Sequence, residues 1–308
     1  MTLQQMEYIV AVDKYRHFVK AADACNVTQS TLSSMIQKLE NELNVQIFDR
    51  NFHPVKPTLA GERIISQAKI LLYNASQLKE IALSEREQAS GEIRMGIIST
   101  VAPYILPKLF KMLHKDHPDI MLHVSELRTS TITQRLERAE LDMALMVTPL
   151  NNSQLLEIPI YYEKFVAYIS PSENLYDQKE IETNHIPFEH LWVLQEGNCL
   201  RNQVLNICEH KSDYSTEYEA GSIDTLIKIV DENGGFTIIP ELHVELLRHC
   251  QQAKIRRIVN PEPVREISLV VRHDYVRERL LNIIAECVRD IIPDHMIDSR
   301  LKKYAIRL

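Results

Sequence analysis

The sequence predicts a chain in three parts: a small all-α unit of three helices with a short extended hairpin, one long helix, and an α/β domain of two subdomains. Three observations predict it. Apolar side chains recur at helical spacing through residues 3–43. The stretch 58–89 lacks proline and repeats a narrow apolar stripe, and after Ser90-Gly91 short apolar runs alternate with amphipathic segments. A length of 308 residues suits two or three units, each burying a core of its own, and 45% hydrophobic with 25% charged residues describes an ordinary globular chain.

Leu3, Met6, Ile9 and Val10 place a first helix, and a second follows around Phe18 to Cys25. Asn26-Val27-Thr28-Gln29-Ser30-Thr31 forms a turn in which Thr28 can N-cap a third helix, with Leu32, Met35, Ile36, Leu39 and Leu43 turned inward. That is a helix-turn-helix outline. The opposite face of the third helix offers Gln29, Ser30, Ser33, Ser34, Gln37 and Lys38, short or amide-bearing groups suited to base edges and phosphates of double-stranded DNA. Ile47 to Thr58 reads as two extended pieces around a turn, a wing that sets Arg50, His53 and Lys56 near the backbone phosphates. A net charge of −7 runs against a nucleic-acid partner, and within residues 1–62 the cations are matched by acids. The case for DNA therefore rests on arrangement. Pattern alone leaves a plain three-helix unit equally open.

In the long helix Ile64, Ala68, Leu71, Ala75, Leu78 and Ala82 recur at alternating spacings of four and three, the seam of a coiled coil, flanked by Arg63, Gln67, Lys69, Gln77, Lys79 and Glu80. A homodimer through this helix is expected, and its two-fold symmetry would place two recognition helices on a partly palindromic site. The alternative is a long helix packed on its own domain. Beyond it the elements expected are strand 93–99, helix 104–115, strand 121–126, helix 132–139 and strand 143–147, then strands at 166–169, 192–194, 236–239 and 267–271. The limits expected are 1–58 for the winged helix-turn-helix, 59–90 for the linker helix and 91–308 for the α/β part.

The start of the chain has no apolar run for export or membrane crossing, so a cytoplasmic protein away from membranes is expected. The five cysteines are odd in number and lack paired zinc spacings, and His114, His117 and His123 do not converge, so neither a metal nor a cofactor is expected. Cys25, Cys250 and Cys287 read as core or incidental residues. Cys199 is different. It follows Gly197-Asn198 at the start of a predicted helix, where free N–H groups and nearby Arg201 would favour thiolate.

The run AADACNVTQSTLSSMIQKLENELNVQIFDR, followed by Pro57-Thr58-Leu59-Ala60-Gly61, resembles the helix-turn-helix signature of LysR-type transcription regulators. The resemblance implies that Gln29, Ser30, Ser33 and Ser34 lie in the major groove while Thr31, Arg50 and the wing hold the register on the backbone. The element order after Gly91 resembles the effector domain of the same family, itself similar to periplasmic binding proteins. It implies subdomain I at about 92–162 plus 268–308, subdomain II at about 163–267, and a cleft between them.

Residues Gln195 to Cys208, with Thr100 in Ser99 to Pro107 and with Gly234-Gly235-Phe236-Thr237-Ile238-Ile239-Pro240, resemble the OxyR branch, the peroxide sensors of that family. The resemblance implies that Cys199 is oxidised, that Cys208 resolves it to a reversible disulfide, and that Thr100 and Thr129 handle the peroxide with Arg265 and Asn198 nearby. It also implies activation of antioxidant genes, a tetramer of two dimers, and RNA polymerase as a further partner. Asn198 stands where the branch commonly has histidine; it can hydrogen-bond but carries no proton near neutral pH. Nine positions of continuous helix would separate the two cysteines by about 13 Å. A disulfide needs Cα atoms roughly 4.4–6.8 Å apart, so the intervening helix must unfold.

Three other readings stay open at this stage. A LysR-type regulator could bind a small metabolite in the cleft, leaving the cysteines as bystanders. A thiol peroxidase would leave the front of the chain without purpose, so no enzyme is expected. A solute-binding protein would need export.

Overall fold

Thr2 begins the first helix by accepting a hydrogen bond from the Gln5 N–H, while the Gln5 side chain accepts one from the Thr2 N–H, a capping box that launches α1, Leu3–Tyr15. The computed structural model describes residues 1–84, 90–187, 189–207 and 220–298, with side chains left aside at 79–84. It divides into two units, residues 1–87 with a short piece at 137–140, and the remainder.

In the first unit, α2 (Phe18–Ala24) is capped by His17, and Thr28 caps α3 (Gln29–Leu43) by accepting from the Thr31 N–H. Leu32, Ile36 and Leu39 are fully buried against Ile9, Val12 and Ala21. Leu43, expected inward, is 37% exposed, because the helix ends there and Asn44 turns into the left-handed region. The wing consists of two-residue strands, β1 (Phe48–Asp49) and β2 (Lys56–Pro57), paired antiparallel. Buried Glu40 ties it to α3, accepting from the Ile47 N–H at 2.8 Å and the Phe48 N–H at 3.2 Å.

The long helix is α4, Leu59–Ser84. Its expected stripe splits in two. Ala68 is buried and Ile64 partly buried in the core of the first unit, alongside Ile65, because the first half of α4 packs on α1. Leu71 and Leu78, one heptad apart, are 42% and 71% exposed. Ala82 lies outside the described side chains.

The second unit contains β3 (Gly91–Ile97), α5 (Ala102–Asp116), β4 (Ile120–Glu126), α6 (Thr129–Glu137), β5 (Met143–Thr148), β6 (Leu155–Ile169) and β7 (Glu180–Glu182). It continues with α7 (Cys199–Ile207), α8 (Ile223–Asn233), β8 (Phe236–Pro240), α9 (His249–Gln252), β9 (Ile255–Val259), β10 (Val264–Arg272) and α10 (Glu278–Ile291). The strand order is β4-β3-β5-β10-β6-β9-β7, with β8 paired to β6. The long strand β6 serves two sheets: residues up to Lys164 pair with β10, and Phe165–Ile169 pair with β8. One core gathers on β3, β5, β10, α5 and α10, and a second on the far half of β6 with β8, α7 and α8.

Residues 192–194, expected as a strand, make only isolated bridges from Leu191 to Phe236 and from Leu194 to Ala220. Between them the Trp192 carbonyl accepts from the Thr237 hydroxyl at 2.8 Å, so a side chain replaces a ladder partner.

A Cβ on Gly61 would lie 2.0 Å from the Ile47 carbonyl oxygen. Gly61→Ala must push α4 off the wing, and thermal unfolding should show a loss of about 1–3 kcal/mol in the first unit. An unchanged midpoint would refute this contact.

Candidate thiol site and nucleic-acid face

Cys199 is the first residue of α7 and is only 7% exposed. The Asn198 side-chain oxygen accepts from the Leu200 N–H at 3.0 Å and so serves the helix start. Of the two groups expected to favour thiolate, the helix N–H of Leu200 does so, while Arg201 does not, and neither sets the balance. Burial is the largest influence and pushes the Cys199 thiol above its ordinary value, opposed by the positive charge of Arg265 and by hydrogen bonding from the Thr129 and Thr100 hydroxyls. Arg201 points elsewhere, donating to the Leu194 carbonyl at 3.2 Å. The cation came from a strand distant in sequence, which local spacing could not reveal.

Arg265 is fully buried and sits directly across from Glu163 in the β10–β6 register, at the point where β6 passes from one sheet to the next. Its Nη2 lies 2.6 Å and its Nε 2.8 Å from the same Glu163 oxygen. The other guanidinium contacts go to Thr100: Nη1 donates to its hydroxyl and Nη2 to its carbonyl, each at 3.0 Å. The second Glu163 oxygen accepts from the Leu242 N–H at 2.9 Å. Thr100, just ahead of α5, is thus fixed by a cation that also faces the thiol.

The Thr129 hydroxyl oxygen is buried and meets no partner in full hydrogen-bond geometry. Thr129, Cys199 and Asn198 line one pocket of about 230 Å³ together with Ile98, Ser99, Glu126, Leu127, Arg128, Gln195, Gly197 and Gly221. Gly197 has φ +85°, and a Cβ there would lie 3.0 Å from an Arg128 guanidinium nitrogen, so glycine permits both the turn and the close approach. The structure therefore brings Cys199, Thr100, Thr129, Asn198 and Arg265 together. Cys208 lies outside the described residues. Sequence reading missed Glu163, which gave no motif, and Gln203, one helical turn beyond Cys199. Gln203 is fully buried, with neither side-chain oxygen nor nitrogen hydrogen-bonded.

In the first unit Gln29, Ser30, Thr31, Ser34, Gln37 and Lys38 are exposed on α3 and Ser33 is half-buried. Gln29, Ser33, Arg50 and His53 line a groove of about 650 Å³ with Arg16, His17 and Lys20, which the sequence reading did not single out. Arg16 ends α1, His17 caps α2 and Lys20 lies in its first turn, so all three sit at a short junction that helical spacing does not mark. Arg50 is held by Glu40 at 3.1 Å, and the Lys56 ammonium lies 4.9 Å from the Phe52 ring centre. Among the described residues no cluster of His, Cys, Asp or Glu could hold a metal ion, and no helix is long and apolar enough to cross a membrane.

Residues 3–62 match the model for the bacterial regulatory helix-turn-helix protein of the lysR family, and residues 86–292 match the LysR substrate binding domain. The chain is 33% identical over 299 residues to a hydrogen peroxide-inducible genes activator of Haemophilus influenzae, covering 95% of this chain and 99% of that one. Among solved structures it is similar to a cysteine-to-aspartate variant of full-length OxyR from Pseudomonas aeruginosa, with a TM-score of 0.78 and 30% identity over 94% of this chain and 98% of that one. A cysteine-to-serine variant of OxyR from Corynebacterium glutamicum, described as H2O2-bound, matches with a TM-score of 0.61 and 26% identity over 94% of each chain.

Two measurements test the site. Because burial raises the Cys199 thiol, its alkylation by a small reagent should climb about tenfold per pH unit up to at least about pH 9; a plateau below neutrality would contradict this. Glu163→Gln leaves Arg265 buried without its counter-charge and should cost about 3–5 kcal/mol in denaturant unfolding. A loss below about 1 kcal/mol would show that the pair does not hold the strands.

Proposed function

The chain belongs to the LysR family of transcription regulators, and we propose that it senses hydrogen peroxide through Cys199 and passes the signal to DNA held by its helix-turn-helix. The observation that carries this reading is the meeting of two threonine hydroxyls and the buried Arg265 cation around the buried Cys199 thiol, which with Thr129 lines a pocket. Likeness to a peroxide-inducible activator and to a peroxide-bound OxyR supports it.

The chemistry follows from the groups present. The Cys199 sulfur attacks one peroxide oxygen, the S–O bond forms as the O–O bond breaks, and the departing hydroxide leaves as water with the thiol proton. The product is a sulfenic acid. Thr100 and Thr129 can each donate to one peroxide oxygen and accept from the other, and Arg265 favours the negative charge that develops during transfer. These groups act on the transition state, which is how a thiol raised by burial can still react. Asn198 serves as a cap and not as a base.

Condensation of the sulfenic acid with the Cys208 thiol would form a disulfide and release a second water. Residues 199–207 are helical, which sets the Cys199 and Ile207 Cα atoms about 12 Å apart. Consecutive Cα atoms are about 3.8 Å apart, so Cys208 comes no nearer to Cys199 than about 8 Å while α7 persists. That is beyond disulfide range, so α7 must unwind. The unsatisfied Gln203 amide, costing on the order of 1–3 kcal/mol while the helix stands, lowers the work required.

On the DNA side, Gln29, Ser30, Ser33 and Ser34 present the base-reading face, with Thr31, Gln37, Lys38, His53 and Lys56 around it. Arg16, His17 and Lys20 extend the phosphate-facing rim. Exposed Leu71 and Leu78 on α4 suit a dimer seam, which would set two such faces on one operator. Dimers pairing into a tetramer, contact with RNA polymerase and activation of antioxidant genes complete the reading.

Stoichiometric peroxide on the reduced protein should give a Cys199–Cys208 link by mass spectrometry of the digest. Cys208→Ser should stop at the sulfenic acid and Cys199→Ser should give no reaction. Thiols that stay free while a small metabolite alters DNA binding would establish the metabolite-sensing alternative. In DNA titrations Gln29→Ala should lose about 1–3 kcal/mol on the specific operator with little change on non-specific DNA; equal losses on both would move Gln29 to the backbone.

A further inference from the structure

The pocket over Cys199 is larger than its smallest oxidant needs. It is a cleft of about 230 Å³, whereas a water molecule takes about 30 Å³ of liquid and hydrogen peroxide has only two heavy atoms. The rest of the space is charged in a particular way. Arg128 lies on its wall against Gly197, and among the described residues its side chain makes no ion pair or hydrogen bond. The first residues of α6 and α7, Thr129 and Cys199, also line it, and Gly221 lies just ahead of Ser222, the cap of α8. Each helix start carries roughly half a positive charge. One carboxylate, Glu126, opposes them on the same wall. Two helix starts and a guanidinium outweigh it, so the unfilled volume favours an anion. Buried Cys199 lines this same space.

We propose that Cys199 is also oxidised by organic hydroperoxides that carry a carboxylate, with Arg128 holding the carboxylate while the sulfur takes the terminal peroxide oxygen. The thiol and the hydroperoxide give a sulfenic acid and an alcohol: the S–O bond forms, the O–O bond breaks, and the thiol proton passes to the departing alkoxide. This rests on Cys199 being the peroxide-sensing thiol.

The test is single-turnover oxidation of the reduced full-length protein, read at Cys199 by mass spectrometry. The probes are a tertiary alkyl hydroperoxide ending in a carboxylate, its methyl ester, and hydrogen peroxide. The acid should react about tenfold faster than the ester, the size of one charge-assisted contact. Arg128→Gln should bring that acid-to-ester ratio close to one, and Glu126→Gln should raise it. Equal rates for acid and ester in the unaltered protein, or a ratio untouched by Arg128→Gln, would overturn the proposal. If hydrogen peroxide oxidises Cys199 while the acid does not, the proposal alone fails; if hydrogen peroxide itself leaves Cys199 unmodified, the sensing role fails with it.

Discussion

The arrangement in the second unit depends on one buried ion pair. Arg265 and Glu163 face each other across β10 and β6, both fully out of water, at the place where β6 leaves one sheet for the other. An isolated charge there would be prohibitive, so each group must keep its partner. The pair leaves part of the guanidinium free to hold the Thr100 hydroxyl and carbonyl, and the Leu242 N–H satisfies the far carboxylate oxygen. A strand crossing thereby fixes a cation beside Cys199 and the orientation of a hydroxyl that a peroxide can use.

The same constraint shows how the thiol can be guarded and still take the reactive role we propose for it. Burial holds Cys199 in the protonated form, while Arg265 and the two threonines favour charge on the sulfur or on a departing oxygen. A general electrophile gains little from that arrangement, because it cannot accept hydrogen bonds from both hydroxyls as it reacts. A peroxide can. Selectivity then comes from positioned donors and not from a permanently ionised cysteine. The helix carrying the thiol is short, begins with a side-chain cap and buries an amide at Gln203 that meets no partner among the described residues, features that lower the cost of the unwinding we propose.

Much of this was legible in the sequence. The cap at Thr28, the inward residues of α3 save Leu43 at its end, the α/β order and the thiol at a helix start all follow from local spacing, and residue-level likeness drew Thr100, Thr129 and Arg265 into one site. What spacing could not give were contacts made across the fold. Glu163 reads as one carboxylate among many until the β6–β10 register sets it opposite Arg265. Arg201 was favoured as the cation because it is two residues from Cys199, yet the helix turns it toward Leu194. The stripe on α4 serves two partners, since Ala68 is used by the chain's own core while Leu71 and Leu78 stay outside. Residues 192–194 have the composition of a strand but make only isolated bridges at their flanks, and the Trp192 carbonyl takes its hydrogen bond from the Thr237 side chain.

The claim that oxidation of Cys199 dismantles α7 is tested most directly by amide hydrogen exchange across residues 199–207 before and after one equivalent of hydrogen peroxide. The account predicts that protection in this segment is lost on oxidation and restored by reduction, while β6 and β10 around the Arg265–Glu163 pair keep theirs. Unchanged protection in α7 alongside a completed oxidation of Cys199 would contradict it.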